Sequence, residues 1–259
     1  MHGNNKLGKY RLLLKDRTAA AHLPPTAVAD LKSIRAMLGR YSAVYLKPSH
    51  GTGGFGIFKL SRFKGGYRLR HGTHSRAYAK LEHAYAAFSK AKANKTYLVQ
   101  MGIPLLSYKR RPFDLRVMVQ RNPKGAWEAT GIVGRLARPN KIVTNYHNGG
   151  KPMPADVLLS SSIPSAGRAR YKKRLLGLGL RVSRHLNRRF PQFRAYGIDI
   201  GIDRSLKPWI IEVNSRPDKS IFNALSDKRM YRKIMSYGRL SKAGAARANK
   251  ARRVSSKRA

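Results

Sequence analysis

Asp199, Glu212 and Asn214 are residues whose types and spacing could do chemistry. They lie in YGIDIGI and PWIIEVN, two alternating apolar stretches separated by a short polar turn. A turn centred on Ser205 and Leu206 sets Asp199 directly opposite Glu212 across an antiparallel pair, and Asn214, two residues on, shares the face of Glu212. Like charges facing each other destabilise a sheet unless a cation lies between them. Mg²⁺ takes one or two carboxylates and fills its octahedron with water and phosphate oxygens, so this set suits a magnesium site. An arginine or lysine would neutralise the same pair in an ordinary ion-pair network, and the spacing alone leaves both readings open.

Asp114 and Arg116 repeat the two-residue spacing within FDLRVMV, with Leu115, Val117 and Val119 on the other face. Alone, they read as a cross-strand ion pair; beside the Asp199, Glu212 and Asn214 set they read as one chemical face. The stretch YLKPSHGTGGFGIFKL supplies Lys47, then Gly51, Gly53, Gly54 and Gly56, whose backbone N–H groups can approach an anion closely. It lacks the GxxxxGK[ST] order, because its lysine precedes the glycines, and strand residues follow where a helix would begin. It is either a plain hairpin turn or a phosphate lid between two strands.

The elements that must position these groups follow from periodicity. NKLGKYRLLL (5–14) reads as a helix, and Val28, Leu31, Ile34 and Leu38 as a second one with Thr26 at its N-cap. AVYLKP and IFKLSR are strands flanking the glycine loop, 75–93 is a helix, and TYLVQMGIPL a buried strand running into a linker. FDLRVMVQ and WEATGIVGRLAR form a hairpin turning at RNPKG, and 167–189 is a helix with Leu175, Leu178 and Val182 on one stripe. The tail after Leu240 is basic and reads as disordered, and HGTH at 71–74 reads as an exposed turn. This order argues an α+β protein of two lobes with a cleft between them.

Composition bounds the function. The 259 residues carry 55 Lys+Arg against 11 Asp+Glu, a formal charge of +44, which points to an anionic partner. No helix-turn-helix, zinc-finger or RNP pattern accompanies that charge, so sequence-specific nucleic-acid reading is not expected. The absence of cysteine excludes disulfides, thiolate zinc sites and a cysteine nucleophile. Neither a signal-peptide core nor an apolar run of about 18 residues is present, so a cytoplasmic protein is expected.

Lys47-Pro48 with GTGGFG, then LVQMGI, FDLRVMV, GIDIGI and IIEVNSRP, in that order, resemble the ATP-grasp ligases over roughly residues 5–222. EATGIVGRLARPNKIVTNYHNGG with IIEVNSRPDKSIF looks most like the YheC/YheD family of endospore coat-associated ATP-grasp proteins. NNKLGKYRLL and VTNYHNGG also echo the ribosomal-protein glutamate ligases of that superfamily, although Thr144 stands where those carry an arginine. The resemblance implies an ATP-grasp fold with the nucleotide between antiparallel sheets. Its parts would be an N-terminal helical segment (1–40), an N-lobe with the glycine loop (41–103), a C-lobe with the metal site (104–225) and a basic tail (226–259).

By the same resemblance, Lys6 and Lys47 hold ATP phosphates, Gly51, Gly53, Gly54 and Gly56 close over them, and the segment with Gln100, Met101 and Ile103 offers backbone groups to adenine. Arg116 and Arg135 meet the transferred phosphate, with Arg138 as a substitute. Asp114 orients Arg116, Asn145 faces the acceptor, and Asp199, Glu212 and Asn214 bind Mg²⁺. The implied activity is carboxylate-amine ligation through an acyl phosphate, in the cytoplasm or the spore coat. Its carboxylate and amine substrates are unknown; an acidic peptide or another anionic polymer is a candidate. The alternative is a non-catalytic scaffold that binds nucleotide or polyanion. The chain begins almost at Lys6, so the α/β domain that precedes this region in many ATP-grasp enzymes is not expected here.

Overall fold

Alternating side chains build two antiparallel sheets, and helices cover the apolar face of each. The computed structural model describes residues 3–51, 53–139, 141–144 and 146–239. Two short helices, α1 (Lys6–Leu13) and α2 (Arg17–Ala20), open the chain. The first sheet then takes β1 (Thr26–Val28), β2 (Ala43–Pro48), β3 (Phe58–Phe63), β4 (Gly66–His71), β5 (His74–Tyr78) and β6 (Tyr97–Met101), in the order β1-β6-β2-β3-β4-β5. Helices α3 (Leu31–Arg40) and α4 (Leu81–Lys92) pack on it through Ile34, Leu38, Leu81, Ala84 and Phe88, against Val44, Leu46, Phe58 and Leu60. On α4 the buried residues recur at three and four, the spacing of one helix face.

The second sheet comprises β7 (Ser107–Tyr108), β8 (Arg111–Arg121), β9 (Trp127–Leu136), β10 (Lys151–Met153), β11 (Ala195–Ile202) and β12 (Pro208–Asn214). Its order is β10-β9-β8-β11-β12, with β7 paired to β8. The 25-residue α6 (Ser165–Arg189), with the short α5 (Ala155–Leu159), covers the face that carries Leu115, Val117, Val119, Ile198 and Ile200. A Cβ on Gly179 would lie 2.7 Å from Val117 Cγ1, so the absent side chain lets α6 sit close on β8.

Several expectations change. Thr26 caps no helix: it lies in β1, and α3 is capped by Asp30, whose carboxylate accepts from Ser33 N at 2.7 Å. The helix expected over 75–93 is shorter, because β4 and β5 form a hairpin through His71↔His74 and the chain turns helical only at Leu81. The HGTH segment is the turn of that hairpin, with Gly72 at φ +58°. Residues 1–40 are shared between lobes: Leu13 and Ala19 pack in the second core, while β1 and α3 belong to the first.

The segment expected as tail is in part structured. After α7 (Ser220–Asn223), residues 229–239 form a helix, α8. Its Ile234 is fully buried with Met118, Val133, Phe222 and Leu225 on the other face of the second sheet. Gln120 Nε2 donates to Ile234 O at 3.1 Å and Tyr237 donates to Glu128 at 2.9 Å, fastening it further. Residues 240–259 lie outside the described residues.

Candidate active site

β11 and β12 pair with Asp199 opposite Glu212 and Gly197 opposite Asn214, as the alternation predicts. The route differs from a simple hairpin. The connection spans residues 203–207, and Ile200 pairs with Ile210, so Ile211 is an extra residue that forms a bulge. Were Ile211 to pair in a regular ladder instead of bulging, Glu212 would fall opposite Ile198 and face the core side of the sheet, because a one-residue slip exchanges faces.

Two arginines converge on Asp199. Arg116, its register neighbour on β8, donates through Nε to Oδ1 and through Nη2 to Oδ2 at 3.1 Å, and Arg135 Nη2 reaches Oδ2 at 3.0 Å. Arg135 also grips Asp114, its cross-strand neighbour, with Nε 2.7 Å from Oδ1. The four side chains are all nearly inaccessible. Burial alone would raise the Asp199 pKa; the Arg116 and Arg135 guanidiniums outweigh it and hold the carboxyl below its ordinary value. For Arg135 burial acts in the opposite sense, but Asp114 and Asp199 keep it firmly protonated. The expectation that Asp114 orients Arg116 is therefore corrected: Asp114 orients Arg135, and Asp199 orients Arg116. Gly197 makes room for this arrangement, since a Cβ there would lie 3.1 Å from Arg116 Cδ and 2.7 Å from Pro217 Cβ.

Lysines approach Glu212 from the other side. Lys6 Nζ lies 3.5 Å from its Oε1 and donates to Gly51 O at 2.7 Å, which ties α1 to the start of the glycine loop. Lys47, buried on β2, donates to Gln100 Oε1 at 2.5 Å, and Gln100 donates onward to Thr26 Oγ1 at 3.1 Å. Burial lowers the Lys47 pKa to about 8 even though Glu212 pulls it up. Gly51, Gly53, Gly54 and Gly56 all have positive φ, the left-handed region that favours glycine. Asn148, from the opposite lobe, donates to Gly53 O at 2.6 Å, and Tyr97 donates to Gly56 O at 2.9 Å.

Between the sheets lies a cleft of about 240 Å³. Its lining includes the charged Lys47, Asp114, Arg135, Asp199 and Glu212 and the apolar Ile57, Met101, Ile103 and Leu105. Gln100, Met101 and Ile103, the segment read as facing adenine, line this cleft. A second hollow, about 380 Å³, is lined by Lys6, Gly51, Glu212 and Asn214, so Glu212 borders both. Arg138 does not join them: it is exposed and lies over Gly149. Asn145 falls outside the described residues, and its neighbour Thr144 lines the cleft.

Sequence reasoning missed Tyr45, Lys59, Lys9 and Asn148. Tyr45 precedes Lys47 by two on β2 and pairs in register with Lys59, so period-two alternation carried their signal. Tyr45 donates to Ile142 O at 3.1 Å, and burial raises its pKa to about 12. Lys9, three residues after Lys6 on α1, donates to Val213 O at 2.5 Å. Asn148 reaches Gly53 across 95 residues, for which local sequence gives no signal.

Could these groups hold a magnesium ion? Among the described residues no group of three or more His, Cys, Asp or Glu is placed to hold a metal ion by itself. The donor set here is two carboxylates and an amide oxygen, which suits a hard cation that keeps water and phosphate ligands. A carboxylate has about four lone-pair sites; Arg116 and Arg135 take one on Oδ1 and two on Oδ2 of Asp199, leaving one position on Oδ1. The residues fit the ion.

Comparison with known proteins gives a concordant picture. The family described as YheC/D-like ATP-grasp matches residues 2–240. The endospore coat-associated protein YheD of Bacillus subtilis (strain 168) is 32% identical over 226 residues, 85% of this chain and 49% of that protein. Endospore coat-associated protein YheC of the same strain is 22% identical over 214 residues, 80% of this chain and 58% of that protein. The chain thus spans about half the length of the curated relatives it matches. Among solved structures, the biotin carboxylase-beta-gamma-ATP complex of Campylobacter jejuni matches with a TM-score of 0.53 at 14% identity, covering 88% of this chain and 44% of that one. The two-lobed α+β architecture is the ATP-grasp fold.

Proposed function

The chain belongs to the YheC/D-like ATP-grasp family, and from that membership we propose that it is an ATP- and Mg²⁺-dependent ligase joining a carboxylate to an amine through an acyl phosphate. The observation that carries the reading is the convergence of Asp199 and Glu212 with Arg135 and Lys47 on one cleft between the sheets, with Asn214 beside Glu212 in the adjoining hollow. In such a cleft Met101 and Ile103 would hold the adenine, and the glycine loop, Lys6 and Lys47 would hold the phosphates beside Glu212. Asp199, Glu212 and Asn214 would hold magnesium, which neutralises phosphate charge when bound.

The protein's own groups do the remaining work by position and charge. Lys47 and Lys6 meet the phosphates from β2 and α1. Arg135 and Arg116, held by Asp114 and Asp199, present fixed cationic edges to the phosphoryl group as a substrate carboxylate oxygen attacks its phosphorus and the bond to ADP breaks. An amine nitrogen then forms the amide bond at the carbonyl carbon, and inorganic phosphate leaves with the C–O bonding pair. Neither step needs a protein nucleophile.

The substrates, and a place in the endospore coat such as the names of YheD and YheC carry, are proposals of the same kind. Among the described residues no helix is long and apolar enough to cross a membrane. The test is ADP release against a panel of amines and acidic peptides, for wild type and Arg135→Met. Release that depends on a carboxylate acceptor and is lost in the variant supports a ligase; tight nucleotide binding without release from any acceptor favours the scaffold reading.

A further inference from the structure

One face of α6 is a straight cationic edge. Its exposed residues include Arg170, Lys173, Arg174, Gly177, Arg181, Arg184 and Arg188. At about 100° per residue they fall within an arc roughly 100° wide. From Arg170 to Arg188 the edge runs about 27 Å at roughly 1.5 Å per residue. The helix itself contains no Asp or Glu. Asp16 reaches Arg181 at 2.8 Å and Asp156 reaches Lys172, both from neighbouring elements. Gly177, near the middle, has nothing within 4 Å of where a Cβ would stand, so a partner can approach the helix backbone there.

The opposite face is fixed: Leu175, Leu178, Val182 and Leu186 are buried against the second sheet. The cationic edge is therefore held in place before any partner arrives. It also lies across the sheet from the nucleotide cleft, because α6 packs on the face of Leu115 and Val117 while Asp114 and Arg116 point the other way.

We propose that this edge of α6 binds the phosphate backbone of double-stranded nucleic acid without reading its sequence. Arginine dominates the edge, and its planar fork grips phosphate oxygens in pairs. The length matches about eight base pairs at roughly 3.4 Å each. A stiff duplex meets a rigid rod without ordering itself, which a flexible acidic polypeptide could not do. A lipid surface fits less well, since the arc lacks the Trp, Phe or Leu that an interfacial helix buries. The proposal is independent of the ligase reading.

The experiment measures anisotropy of a labelled mixed-sequence duplex of about 20 base pairs, with the whole chain, from about 50 to 200 mM salt. Three proteins are compared: wild type; a variant with Arg170, Lys173, Arg174, Arg184 and Arg188 changed to Gln; and a control with Lys32, Arg62, Lys64, Lys90 and Lys95 changed to Gln. Both variants lose the same charge, and all ten positions are exposed. At about 0.9 per phosphate contact, the salt slope of the α6 variant, with five contacts removed, should be shallower by about 4.5. The proposal stands if that change is at least twice the control's and ATP binding is unaltered. A smaller ratio, no wild-type duplex binding, or tighter binding to polyglutamate or to anionic vesicles at the same salt overturns it.

Discussion

Asp199 stands opposite Glu212 across β11 and β12, but the protein neutralises them unequally. Arg116 and Arg135 hold Asp199 with three close contacts, whereas the ammonium of Lys6 approaches Glu212 at 3.5 Å, beyond an ordinary hydrogen bond. The pair is thus half internal, bracing the arginines, and half directed toward the two hollows that meet at Glu212.

Removing Asp114 should damage stability before it touches chemistry. Arg135 would keep its charge at a nearly inaccessible position, with one of its two carboxylates gone. Breaking such a buried pair costs about 3–5 kcal/mol. Asp114→Ala should lower the urea midpoint accordingly, and Glu82→Ala, which breaks an exposed pair with Arg35, should barely move it. Equal shifts would contradict the role assigned to the buried network.

Lys47 gives stability an unusual pH dependence. Burial sets its folded pKa at about 8, below its ordinary 10.5, so above about pH 8 the unfolded chain holds a proton that the folded chain has released. Stability from this group therefore rises with pH from about 8 toward 10, and Lys9, also lowered to about 8, acts in the same sense. Lys47→Met should flatten the rise of the denaturation midpoint over that window; an unchanged profile would count against it.

Phosphates beside Lys47 favour its charged form, so nucleotide binding near pH 8 should draw protons from solvent. Titration calorimetry in buffers of different ionisation enthalpy reads that uptake directly. It should reach up to about half a proton per nucleotide at a pH equal to the group's pKa, and disappear in Lys47→Met. Binding with no uptake in wild type would place the phosphates elsewhere.

Asn148 should act on closure. Its 2.6 Å bond to Gly53 O joins the second lobe to the glycine loop, and one such bond contributes roughly 0.5–1.5 kcal/mol. Asn148→Ala is expected to weaken nucleotide binding about threefold to tenfold with little change in thermal stability. An unaltered affinity would mean the contact does not brace the glycine loop for nucleotide.

The facing acids were legible because strand alternation has a period of two, and a turn near Ser205 and Leu206 gave the correct partner for Asp199. The Ile211 bulge was not legible, since a longer loop and an extra residue cancel in register. Asp114 was assigned to Arg116 from the family resemblance; its partner Arg135 lies opposite it on β9, and a second register shift, between Met118 and Val119, hides that pairing from a count back from the hairpin turn. Asp30 was overlooked as a cap because Val28 happens to extend the helical spacing into β1. The helix at 229–239 was hidden by its basic surface: Ile234 alone is fully buried there, too weak a pattern to mark an element.

In the proposed ligase, Glu212 completes a magnesium-nucleotide site. Calorimetric titration of MgATP at about 0.3 M salt, where the Debye length is well under 10 Å, screens nonspecific attraction to the charged surface. Wild type should bind one equivalent saturably, and Glu212→Ala, folded by circular dichroism, should lose that binding. Equal affinity in the two proteins, or no saturable binding by wild type, would contradict the account.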